Sequence, residues 1–136
     1  MESKDKNRNA YVLDIGSASV RLLAGRYTSS TDVTILFNKG YVTRLREDLT
    51  SGVGLDGPRS KETLKRIRQL VKEAGSVLPE PGSCICTQAV RQAEKKEEFL
   101  DQIKMITGLE PEIVSGEREG ELAWMGSREF LDHGSM

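Results

Sequence analysis

Ala10-Tyr-Val-Leu-Asp-Ile-Gly16-Ser-Ala-Ser-Val20-Arg-Leu-Leu-Ala-Gly-Arg-Tyr27 sets the architecture of everything that follows it. Residues 10–16 are a short apolar run that stops at a glycine. Residues 20–27 are a second run, and only Ser17-Ala18-Ser19 separates the two. Two β-rich runs joined by so short a link pair as an antiparallel hairpin. Thr28-Ser29-Ser30-Thr31-Asp32 then reads as a turn, and Val33 to Phe37 starts a third run that continues past Gly40 through Tyr41-Val42-Thr43. The first third of the chain is therefore a three-stranded meander.

Beyond it the period changes. Glu47 to Arg59 contains Gly52, Gly54, Gly57 and Pro58 and reads as a loop. Leu64, Ile67, Leu70 or Val71, and Ala74 recur at helical spacing, with Ser60 as the expected N-cap and Gly75 as the stop. Ser83-Cys84-Ile85-Cys86-Thr87 is a compact strand, and a helix follows from about Glu94 to Thr107, ended by Gly108. Glu112-Ile113-Val114 is a fifth short strand, and Glu117 to Asp132 reads as a third helix. The order β-β-β-α-β-α-β-α makes the last two strands parallel to their neighbours, because helix-length crossovers connect them. The expected fold is α/β, a mixed five-stranded sheet of the ribonuclease-H-like type found in the actin-like ATPase, sugar kinase and Hsp70 superfamily. Residues 10–132 form this domain, with a disordered polar tail at 1–9 and a short tail at 133–136.

Composition narrows the function. The 136 residues carry 20 basic and 21 acidic side chains, a formal charge of −1, so no global basic field draws the chain to nucleic acid. Aromatic residues are scarce, which weakens any case for base stacking. No apolar run is long enough to span a bilayer, and the polar start lacks a signal-peptide core, so a cytoplasmic protein without membrane association is expected. Cys84 and Cys86 share one face of a strand. Lacking a second cysteine pair, and with His133 the single histidine, they are expected to be buried apolar residues rather than a redox pair or half a metal site.

Ligands of such sheets bind at the carboxyl ends of the parallel strands, and three segments end strands there. In the first, Asp14 closes an apolar strand, where an unpaired carboxylate is costly. Gly16 is expected to take a positive φ, so that the turn presents backbone N–H groups with the Ser17 and Ser19 hydroxyls. Such a nest suits phosphate oxygens, and a carboxylate beside it suits Mg²⁺. An ordinary hairpin turn fits these residues equally well. The second segment, Thr87-Gln88-Ala89-Val90-Arg91, places Arg91 where its planar fork could hold phosphate, although a solvated surface arginine is the simpler alternative. The third, Val114-Ser115-Gly116-Glu117-Arg118-Glu119-Gly120-Glu121, runs from strand into helix, where the first amides can hold an anion. Its glutamates also suit the helix dipole without any catalytic role, and at most one of them faces the cleft squarely.

Taken together, "DIGSASVRLL", "RLREDLTSGVGLDG" and "TQAVRQAEKKEEFLDQIKMITGLEPEIVSGEREGELAWMG" resemble the amino-terminal domain of the exopolyphosphatase/guanosine pentaphosphate phosphatase (Ppx/GppA) family, over Tyr11 to Gly126. The resemblance implies that Asp14 lies near a divalent metal, Mg²⁺ or a similar cation. It places Gly16, Ser17, Ala18 and Ser19 around phosphate, with Thr87, Gln88, Arg91, Ser115 and Gly116 completing the phosphate contacts. Glu119 is implied as the catalytic base, with Glu117 as the alternative if the register differs. Ala18, Gln88 and Arg46 depart from the family's usual asparagine, small residue and glycine; Gln88 is expected to crowd the second loop, and Arg46 to add charge near the cleft.

The family's activity is hydrolysis of a terminal phosphoanhydride bond of inorganic polyphosphate or guanosine pentaphosphate, and its full-length members could form homodimers. Its second domain carries an Asp-x-Gly-Gly-Gly loop that does not occur in these residues. The chain is therefore expected to be the first domain of a two-domain phosphatase, inactive alone. A non-catalytic module that binds polyphosphate or alarmone nucleotides is the alternative, favoured by Ala18 and Gln88. An actin-like ATPase or sugar-kinase half is a weaker one, opposed by the Ser-Gly-x-x-Glu helix start.

Overall fold

A computed structural model describes residues 8–27, 32–75, 82–115 and Glu117. Strands β1 (Arg8–Ile15), β2 (Ser19–Tyr27) and β3 (Val33–Val42) form the antiparallel meander, with Ile15 opposite Val20 and Ser19 opposite Val42. Strands β4 (Gly82–Thr87) and β5 (Pro111–Val114) extend the sheet in parallel, giving the order β3-β2-β1-β4-β5. This is the mixed five-stranded sheet expected of the ribonuclease-H-like fold.

Alternation along the strands makes one face of the sheet apolar. Leu13, Ile15, Val20, Leu22 and Ala24 are fully buried on it, beside Cys84 and Cys86. Helix α2 (Pro58–Ala74) lays Leu64, Ile67, Leu70 and Ala74 into that layer, and helix α3 (Lys96–Thr107) adds Phe99 and Ile103. These are the stripes that the 3.6-residue period marks. Both cysteines are reduced and buried, and burial, with a smaller contribution from the Asp14 charge, pushes the Cys84 thiol up to about 12. A thiol held in that form is neither a nucleophile nor a ready ligand. Gly75 and Gly108 end the two helices in positive-φ conformations, at 52° and 74°.

Several boundaries differ from the sequence pattern. The segment expected to be loop holds a helix, α1 (Leu45–Ser51). Seven residues with one apolar pair, Leu45 and Leu49, are too short for a helical period to show, and Gly52 and Gly54 at positive φ turn the chain only after it. Helix α2 starts at Pro58, a favoured first position, with Gly57 as N-cap. Ser60 is therefore not the cap. It is buried in the first turn, where its N–H and hydroxyl both donate to Asp48 Oδ2, at 2.6 and 2.7 Å. Helix α3 starts at Lys96 rather than near Glu94, because the Glu94 carbonyl accepts the Leu55 N–H at 2.9 Å and Lys95 takes a left-handed φ of 66°. Strand β1 begins at Arg8, so Arg8 and Asn9 of the expected tail belong to the sheet. Glu117 is helical, and the remainder of the expected third helix lies outside the described residues. Among the described residues no helix is long and apolar enough to cross a membrane.

Candidate active site

The parallel register brings three strand ends to one edge. Ile15 pairs with Cys86, and Thr87 with Val114, so β1, β4 and β5 finish side by side. The loops at 16–19 and 88–95 and the segment that begins at Ser115 leave the sheet at that edge.

The first loop is a tight link whose ends are tied by the Gly16 N–H donating to the Ser19 carbonyl at 2.9 Å. Gly16 is buried but is not among the described glycines with positive φ, so the expectation of a left-handed turn there is corrected. The loop's shape comes from outside it. The Ala18 carbonyl accepts the N–H groups of both Thr43 and Arg44 at 2.9 Å, and the Ser17 carbonyl accepts the Arg46 N–H at 3.0 Å. The segment joining β3 to α1 thus occupies the loop's acceptors. Among the described residues the amides of Ser17 and Ala18 donate to nothing. With the Ser17 and Ala18 carbonyls taken and the N–H groups of the same two residues open, this part of the loop is polarised toward an anion.

The second loop touches the first. Ser17 Oγ donates to Thr87 Oγ1 at 3.3 Å, and the Ala89 amide donates to the same oxygen at 3.4 Å, both at the long end of hydrogen bonding. Thr87 is buried, and it opens a one-turn 3₁₀ helix over Gln88–Val90 closed by the Arg91 N–H donating to the Gln88 carbonyl. Gln88 is exposed, so its side chain does not crowd the loop as the sequence comparison implied. Arg91 is exposed too, and among the described residues its guanidinium meets no carboxylate. The Lys96 ammonium donates to its carbonyl at 2.6 Å and fixes the backbone of the turn.

The third segment is described only in part. Ser115 and Glu117 are exposed, while Gly116 and Glu119 lie outside the described residues. Arg46 is exposed at the start of α1, next to the first loop through its own amide, and so does add charge at this edge.

Asp14 is the unusual group. Its Oδ1 is buried, and among the described residues no donor reaches it. Burial raises its carboxyl above the ordinary range, and the Arg21 charge opposes that rise with a weaker effect. Arg21 is the cross-strand partner of Asp14, yet its Nη1 donates to Asn38 Oδ1 at 2.7 Å. The hairpin register makes this pairing legible in the sequence, since Ile15 opposite Val20 sets Asp14 opposite Arg21. A divalent cation fits the spot. The described residues contain no cluster of three ligating side chains, and Mg²⁺ needs only one or two carboxylates when phosphate and water complete its shell.

Comparison with known proteins gives the family and the fold. The sequence model of the Ppx/GppA phosphatase family matches residues 24–135. Exopolyphosphatase 1 of Mycobacterium tuberculosis is 28% identical over 119 residues, which are 88% of this chain and 35% of the relative. The chain thus spans about a third of that curated relative's length. Among solved structures, the Aquifex aeolicus member of the Ppx/GppA family superposes with a TM-score of 0.75 at 28% identity, over 92% of this chain and 40% of the other. An exopolyphosphatase from Cytophaga hutchinsonii gives 0.62 at 26% identity, over 85% and 36%.

Proposed function

Because the chain belongs to the Ppx/GppA phosphatase family, we propose that it forms one wall of a site that hydrolyses the terminal phosphoanhydride bond of a polyphosphate chain. One observation carries this: the first loop has its Ser17 and Ala18 carbonyls tied down and the amides of the same two residues open, beside a half-buried carboxylate, that of Asp14, whose Oδ1 meets no donor among the described residues. In this proposal the amides and the Arg91 guanidinium hold the terminal phosphate oxygens, and the hydroxyls of Ser17 and Thr87 border the same pocket. Glu119, or Glu117 in the other register, orients a water for attack on the terminal phosphorus and takes its proton. Asp14 is the group to hold Mg²⁺, which would supply charge neutralisation to the phosphate oxygens. Such positioning and charge stabilisation make up most of phosphoryl-transfer catalysis.

The relatives named as exopolyphosphatases make inorganic polyphosphate the first substrate to test. Guanosine pentaphosphate, which ends in the same anhydride, is the second. A purely binding role is favoured by one residue, Ala18, which offers the loop no side-chain donor. We expect tripolyphosphate with Mg²⁺ to shift the Ser17 and Ala18 amide resonances, and Arg91→Ala to weaken that binding about tenfold or more, as loss of a charge-assisted contact does. Unmoved loop amides would sink the proposal. In a two-domain protein carrying this sequence, Glu119→Gln should slow phosphate release roughly 10²–10⁴-fold. Binding with no turnover in that protein would favour the binding role.

A further inference from the structure

Helix α2 carries six basic and two acidic side chains, in a protein whose formal charge is −1. Both acidic residues are engaged: Glu62 pairs with Arg66 at 2.8 Å, and Glu73 pairs with Lys39 at 3.0 Å. Arg59 pairs with Glu47 at 2.9 Å. The remaining four, Lys61, Lys65, Arg68 and Lys72, are exposed, and among the described residues none of them is in an ion pair. Arg68 only donates to Gln102 Oε1, at 3.4 Å. Their spacing of four, three and four residues aligns them in one stripe along the face opposite Leu64, Ile67 and Leu70. At 1.5 Å per residue the stripe is about 16 Å long.

Helix stability does not account for this arrangement. The first turn of α2 has no acidic side chain, and Lys61 stands near the end where the helix dipole repels a cation. Contacts at the two ends of the helix add a position. Helix α2 begins near the candidate site, since Asp48 of α1 is bonded to its first turn and α1 is bonded to the first loop, and its last turn is bonded to Lys39 and Tyr41 of β3 through Glu73. The stripe therefore starts near the site, at Lys61 close to the start of α2.

We propose that this stripe is a docking strip for an extended inorganic polyphosphate chain, holding the polymer whose end occupies the site. The choice of polyphosphate rests on the function proposed above. The strip itself rests on four cations in line that have no ion-pair partner among the described residues. A linear polyanion with a charge on every unit matches them without needing any fixed register, and its binding releases counterions.

The test is a titration of the full chain and of the variant K61Q/K65Q/R68Q/K72Q with long-chain polyphosphate and with tripolyphosphate, over a salt series. Glutamine keeps the helix propensity, and circular dichroism checks the fold. Long-chain polyphosphate should bind the variant on the order of tenfold to 100-fold more weakly, and the slope of log affinity against log salt should shrink by about 3. Tripolyphosphate, too short to occupy the site and the stripe together, should bind both proteins alike. The charge-keeping variant K61R/K65R/R68K/K72R should behave like the parent. Unchanged long-chain affinity and salt slope in the glutamine variant would overturn the strip while leaving the site proposal untouched. Loss of long-chain binding where tripolyphosphate binds neither protein would uphold the strip and count against the site. Equal competition by single-stranded RNA of the same charge would overturn the assignment to polyphosphate.

Discussion

Replacing Asp14 by asparagine should stabilise the free protein and remove its response to magnesium. Asp14 Oδ1 is buried without a described donor, and burial outweighs Arg21 in raising the carboxyl above 3.8. The sign follows directly. Between the ordinary carboxylate value and the raised folded one, the folded chain keeps a proton that the unfolded chain has released. Stability therefore falls as pH rises through that window and is level above it. At neutral pH the charged carboxylate is a net cost to the ligand-free fold. An unsatisfied buried polar atom costs about 1–3 kcal/mol. Asp14 is only partly buried, and asparagine leaves a polar atom behind, so solvent screening puts the gain near the low end, about 1 kcal/mol.

For a domain of this size that gain raises Tm by roughly 3–5 °C. Scanning calorimetry from acid to neutral pH should show the variant's advantage growing through the window and vanishing below it. With tripolyphosphate present, Mg²⁺ at about 100 times its Kd should stabilise the parent by about 2.7 kcal/mol and the variant by far less. A variant less stable at every pH, protected by Mg²⁺ as well as the parent is, would refute the reasoning and make Asp14 a structural acceptor.

Asp48→Ala should cost about 2–4 kcal/mol in urea denaturation, because it strips a buried N–H and a buried hydroxyl of one acceptor. Ser60→Ala should cost only about 1 kcal/mol, and a loss below about 0.5 kcal/mol for Asp48→Ala would show water replacing the carboxylate. Gly82→Ala should destabilise by about 1–3 kcal/mol, since its Cβ would overlap the Tyr11 ring. Tyr11→Ala in the same chain should relieve the clash in a double-mutant cycle, and additive costs would place the strain elsewhere.

The sheet was legible because its signals are local. Apolar runs bounded by Gly16 and the Ser17-Ala18-Ser19 link specify the hairpin, and crossovers of helix length specify the parallel strands. Two of the site's three loops could be located for the same reason, each following an apolar strand. What escaped depends on contacts between distant residues. Tyr41 donates to Glu73 at 2.8 Å and lies 4.5 Å from the Arg66 guanidinium, tying β3 to α2 across more than twenty residues of chain. Helix α1 escaped because its two leucines make one turn, not a period. Gly16 drew an expectation of positive φ that the backbone does not meet, because the loop is shaped by acceptors satisfied from the 43–46 segment rather than by its own conformation.

That last point explains why the arginine at 44 tolerates a conformation usually left to glycine. Its φ of 56° costs on the order of 1 kcal/mol for a residue with a Cβ. In return, the Thr43 and Arg44 amides point at one carbonyl, that of Ala18, and Arg46 follows onto Ser17. Freed from that grip, the loop could turn its carbonyls toward the site and repel a phosphate. The grip is kept by α1, and α1 is kept by Asp48, whose carboxylate reaches into the first turn of α2. A buried carboxylate thus belongs to the same run of contacts that holds the loop's carbonyls. The strain at Arg44 is the local cost of that orientation, and burial of α1 against α2 is what sustains it.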